Sequence, residues 1–164
     1  HFGYGNAFSA QAFYPSDEAG QHRRSMYTFW KRTSPPPSLI AFDAPTREVC
    51  SVERSRTNTP IQALVLLNDP EYLAAAQNLA QLAMDEEGQA TAKRIKCIFR
   101  RATARRPDVA ERKILSARFE AALAKYQQQA DAAEALVDSG AAEHAAWTVI
   151  ASVVLNLDEV ITRE

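Results

Sequence analysis

The chain is short of the residues that build most recognisable active sites. Its 164 residues include two cysteines, three histidines and five glycines. The histidines, His1, His22 and His144, lie far apart, and none shares a helical face with a carboxylate at ligand spacing. No metal ligands and no haem are therefore expected within the chain. There is no G-x-G-x-x-G, no phosphate loop, no G-x-S-x-G, no H-E-x-x-H and no C-x-x-C-H. Those absences remove the common signatures of nucleotide binding, serine hydrolysis, metalloproteolysis and haem attachment, and leave no catalytic residue to name. Cys50 and Cys97 stand at a spacing of no diagnostic value. A Cys50–Cys97 bridge and two free, partly buried thiols both remain open, and neither fixes the redox compartment.

Charge of one sign is missing too. Nineteen basic residues face 20 acidic ones, for a formal net charge of -1. Nucleic-acid binding usually leaves a basic excess, so no nucleic-acid partner is expected. The most apolar run, Ala145 to Leu157, is interrupted by Thr148, Ser152 and Asn156, which suits a core helix and not a membrane span. The first residue is not methionine, and residues 1–20 hold no apolar stretch of signal-peptide length. The expectation is a piece from the C-terminal end of a larger protein, with any targeting signal upstream.

What the chain does have is apolar content, 46%, in a length suited to one domain. Two parts differ in character, 1–58 and 59–164. The first carries three of the five glycines, five of the eight prolines, and Phe2, Tyr4, Phe8, Phe13 and Tyr14 without periodicity. It reads as an irregular arm with one short helix near 23–32, followed by an extended polyproline stretch at Pro35-Pro36-Pro37. The second part reads as helices. Thr59-Pro60 and Asp69-Pro70 each supply a cap and a proline at the first helical position, opening helices over 61–67 and 71–85. Tyr72, Leu73, Ala76, Leu79, Ala80 and Ala83 share one face of the latter. Gly88 separates it from a helix over 89–104, whose inner face carries Ala92, Ile95, Ile98, Phe99 and Ala102. Asp108 and Glu111 match a capping box ahead of a helix burying Ile114, Leu115, Phe119, Ala122, Leu123 and Tyr126. A short helix from Asp131 and a last one over 142–157 follow. The fold class expected is all-α: a helical bundle with an aromatic- and proline-rich N-terminal arm.

Two segments have the composition of a binding site. In Arg23 to Thr33, Tyr27 and Trp30 fall on one helical face with cations at both ends. That pattern suits a stacking platform for a sugar or planar group, and equally an amphipathic helix docked by its aromatics. In Arg47 to Pro60, three arginines, two glutamates and an asparagine precede a helix start. An anion would find free amides there, with Arg54 or Arg56 to fork onto it. The same residues also suit a loop in which Thr59 caps the helix while Glu48 and Glu53 pair with the arginines. The candidate binding residues are Trp30, Arg47, Glu48, Arg54, Arg56 and Asn58. The cations of 93–106 sit opposite Ile95, Ile98 and Phe99 and read as a solvated stripe.

Several strings look familiar: Arg23 to Ser38, Phe42-Asp43-Ala44-Pro45, Arg47-Glu48-Val49-Cys50, Arg56 to Leu64, Leu67-Asn68-Asp69-Pro70, Arg105-Arg106-Pro107 and Leu155 to Glu159. From about residue 20 to the end the chain resembles the PSD-one domain, a C-terminal domain of large planctomycete proteins. The resemblance implies a copy lacking its N-terminal portion, which follows another domain of unknown function. It also implies an exported, extracytoplasmic protein in which a cytochrome c module often lies elsewhere in the polypeptide. Cys97 stands where the family leads one to expect an aromatic or apolar residue, which weakens a bridge to Cys50. The function expected is a helical scaffold or binding module that packs on an upstream domain. The alternative is part of an exported redox or carbohydrate-processing enzyme, offering an arginine-rich surface to a polyhydroxylated or anionic ligand. Alanine-rich surfaces such as Ala74 to Ala76, Ala121-Ala122 and Ala132-Ala133 would suit a third role, close helix contact in an oligomer, although alanine is also simply a good helix former.

Overall fold

Proline places three of the helices. In a computed structural model, which describes residues 2–4, 13–15, 25–28, 30, 35–45, 48–53 and 57–161, helix α1 (Pro37–Ala41), helix α2 (Pro60–Asn68) and helix α3 (Pro70–Glu87) each open on a proline. The fixed φ of the ring suits a first helical position, whose amide would have no partner in the helix anyway. The chain divides into two compact units, residues 1–62 and 63–164.

In the first unit, Phe2–Tyr4 (β1) pairs antiparallel with Phe13–Pro15 (β2), with Tyr4 opposite Phe13. Two three-residue strands are too short to show alternation in the sequence, and aromatic content alone favours them. Of the helix expected over 23–32, the described residues show only a 3₁₀ turn at Ser25–Tyr27. Thr28 and Trp30 are not helical, so Tyr27 and Trp30 do not share a helix face. The β-branched and aromatic residues there lose side-chain freedom in a helix, which opposes its extension. The polyproline stretch is also shorter than expected. Pro36 is extended, at φ -58 and ψ 127, but Pro37 already begins α1. Two residues past the end of that helix, Asp43 takes a left-handed φ of 57.

The second unit is all-helical. Asp69 caps α3, its Oδ1 accepting the Glu71 amide at 2.9 Å. Helix α4 (Thr91–Thr103), α5 (Val109–Gln128), α6 (Ala130–Leu136), α7 (Ala142–Leu155) and a final turn α8 (Asp158–Ile161) follow. Gly88, at φ 59, ends α3 in a conformation that an L side chain strains to adopt. The capping box at the start of α5 is complete: Asp108 Oδ1 accepts from the Glu111 amide, and Glu111 Oε2 accepts from the Asp108 amide, both at 2.7 Å.

Helix α7 is the centre of the unit and packs on α3, α4 and α5. Ala76, Ala80 and Ala83 of α3 are fully buried against it, and small side chains let the two backbones come close. Ala76 and Ala133 lie inside the chain's own cores, so these alanines are spent within the protomer. Trp147 stacks on Phe119 with ring centroids 4.1 Å apart, surrounded by Ile95, Ile98, Phe99, Ile150 and Val154. Its Nε1 is buried without an acceptor.

Four surface expectations change. Ile114 is 61% exposed, because the inner face of α5 is set by Leu115 and Phe119, and a neighbour one residue away lies 100° around the helix. Tyr72 and Ala92 are also exposed, at the outer margins of α3 and α4. The cations of 93–106 are not a uniformly solvated stripe. Arg94 is buried, Arg101 pairs with Glu86 at 2.7 Å, and Arg105 pairs with Glu111 and Glu159. Cys97 is buried and Cys50 exposed, and both are free thiols. Among the described residues, no helix is long and apolar enough to cross a membrane.

Candidate functional site

The start of α2 is closed by a second capping box. Thr59 Oγ1 accepts the Gln62 amide at 3.3 Å, and Gln62 Oε1 accepts the Thr59 amide at 3.1 Å. Proline occupies the first helical position, directly after the cap, so the motif reads Thr-Pro-Ile-Gln. Gln62 is only 2% exposed. A buried primary amide needs partners for its N–H groups as well as its carbonyl. Its Nε2 donates to Asp43 Oδ2 at 3.2 Å and to Thr57 Oγ1 at 3.3 Å.

Asp43 gathers the rest. Its carboxylate accepts the Thr57 amide at 2.8 Å, and the Thr57 hydroxyl lies 2.8 Å from both carboxylate oxygens. The left-handed φ of 57 that turns this carboxylate back toward Thr57 is one that aspartate tolerates better than most side chains. Asp43, Thr57, Thr59 and Gln62 thus tie the end of α1 to the start of α2 across the intervening loop. The Gln62 amide, one of those an anion would use at this helix start, is already bound by Thr59.

The residues singled out from sequence fall around this knot unevenly. Trp30 is half-buried, and Glu48 and Asn58 are at the surface, each with interactions of its own. Arg47, Arg54 and Arg56 lie outside the described residues. Sequence reasoning named Thr59 as a cap but passed over Gln62, whose three-residue spacing from Thr59 was the available signal. Asp43 and Thr57 gave none, since their link to Gln62 spans 19 and 5 residues.

The outer side of α2 is apolar. Ile61, Leu64 and Leu67 recur every third residue and are 63%, 63% and 48% exposed, while Gln62 and Leu66 face inward. Asn68 Nδ2 donates to the Leu64 carbonyl at 2.8 Å, and Asp69 follows, so the stripe ends in polar groups.

The remaining charged clusters are joints. Arg94, 5% exposed, donates from Nε to the Gly88 carbonyl and from Nη1 to Glu143, and its guanidinium lies 5.6 Å from the centre of the Trp147 ring. Arg105 bonds Glu111 at 2.6 and 2.9 Å and Glu159 at 2.7 and 2.8 Å, and lies 4.7 Å from the centre of the Phe99 ring. Those hydrogen bonds, Glu111 first, raise the Arg105 pKa and hold the Glu111 carboxyl below its ordinary range. His144 lies between Ser139 Oγ, 3.1 Å from its Nδ1, and the Gln77 carbonyl, 3.2 Å from its Nε2. Among the described residues, no group of His, Cys, Asp and Glu is placed to hold a metal ion.

No curated protein and no solved structure matches the chain significantly. A family does match, over residues 4–119, reaching into the arm and taking in α1 to α4, most of α5, and the Asp43–Gln62 knot. Because the match covers more than half of the sequence, the chain belongs to PSD1, a family described as a protein of unknown function (DUF1553).

Proposed function

We propose that the chain is a helical scaffold and docking module of a larger, exported protein, and that it docks through α2 on the domain preceding it in the same polypeptide. The observation that carries this reading is the outward row of Ile61, Leu64 and Leu67 on a helix pinned from its inner side by Gln62. Contiguous apolar surface rimmed by polar groups marks interaction sites more often than isolated exposed leucines do. Covering three aliphatic side chains already about half buried would contribute on the order of 1 kcal/mol each. The capping knot holds the helix ready, so little ordering cost would fall on docking. Export and the upstream neighbour follow from the family resemblance carried by residues such as Arg23 to Ser38.

Hydrogen exchange tests this directly. Amides of residues 60–68 should exchange several-fold more slowly in the polypeptide that includes the preceding domain than in this chain alone. Equal exchange in both would overturn the reading, as would unchanged protection after Leu64→Lys in the longer polypeptide.

A second reading gives Trp30, Arg47, Glu48, Arg54, Arg56 and Asn58 a role in binding a polyhydroxylated or anionic ligand for a redox or carbohydrate-processing enzyme. The exposure of Glu48 and of Asn58, the residue before the Thr59 cap, favours it. Calorimetric titration with an oligoglucuronate should then show binding that Arg54→Ala and Arg56→Ala abolish. Absence of heat with the native chain would remove this reading and leave the docking proposal standing.

A further inference from the structure

We draw no further inference here: the strongest candidate, the pair of Ser139 and His144 at the first turn of α7 beside the uncapped N-terminus of that helix, consists of a helix end and side chains whose hydrogen bonds stay within the chain, and nothing else among the described residues points to a ligand there.

Discussion

Replacing Arg94 by alanine should destabilise the helical unit by about 3 kcal/mol, and the contributions are separable. The Nε bond to the Gly88 carbonyl is charge-assisted and worth about 1.5 kcal/mol, the low end for such bonds, because Gly88 is exposed and water can replace the donor. The Arg94 side chain is 6% exposed but its partner Glu143 is 49% exposed, so the ion pair is screened and contributes at most about 1 kcal/mol. The position over Trp147 adds about 0.5–1 kcal/mol, and the buried aliphatic stem a further amount of similar size. The larger penalty for a stranded buried charge does not apply, since Glu143 left alone still meets water.

Urea denaturation of the whole chain, followed by far-UV circular dichroism, measures the loss. Arg94→Met, which keeps only the stem, should cost about three quarters as much as Arg94→Ala, and Glu143→Gln less than about 1 kcal/mol. If Arg94→Ala lay within about 0.5 kcal/mol of the native chain, Arg94 would be no joint at all. If Glu143→Gln matched Arg94→Ala, the ion pair and not the Gly88 carbonyl would be the principal tie.

Other consequences are quicker to check. Asp43→Ala should cost about 2 kcal/mol in the same denaturation, by losing the Thr57 and Gln62 bonds and straining a left-handed backbone, whereas Asp43→Asn should cost about half as much. Glu111 is held below its ordinary value of 4.5 chiefly by Arg105, so the unfolded chain takes up that proton first as pH falls. Its stabilisation is complete above 4.5, declines below it and is gone beneath the folded pKa; melting temperatures across that range should fall less steeply for Glu111→Gln, which keeps the cap but not the charge. A thiol reagent should label Cys50 within seconds to minutes and Cys97 only on unfolding, and a native chain giving no fast thiol would contradict the free, exposed Cys50.

The helical half was legible because its signals are local. A cap and its proline are neighbours, a capping box spans three residues, and the inner face of α4 repeats at helical spacing, so Thr59-Pro60, Asp69-Pro70, Asp108 with Glu111, and Ile95 with Phe99 could be read from the sequence. Arg94 could not. It sits between Lys93 and Ile95 with nothing to distinguish it from a surface cation, and its partner Glu143 lies 49 residues away. The arm was hardest, since Asp43 owes its role to a backbone turn and to two distant partners. Trp30 was placed on a helix face because the spacing fitted one, but an aromatic, β-branched run ahead of three prolines does not sustain that helix.

The polar residues that sequence missed share a task. Asp43 and Gln62 hold the start of α2, Arg94 joins the end of α3 to the first turn of α7, and Arg105 ties the α4–α5 corner to α8. Each is placed where backbone groups at a helix end would otherwise lack partners, so charge in this fold secures corners. Side chains committed in this way are costly to free for chemistry, because releasing one exposes the helix end it holds. The row of Ile61, Leu64 and Leu67 is different: it satisfies no backbone group and, among the described residues, joins neither buried core. A helix whose start is fixed by Asp43, Thr57, Thr59 and Gln62 while Ile61, Leu64 and Leu67 meet water has the form that the proposed docking requires.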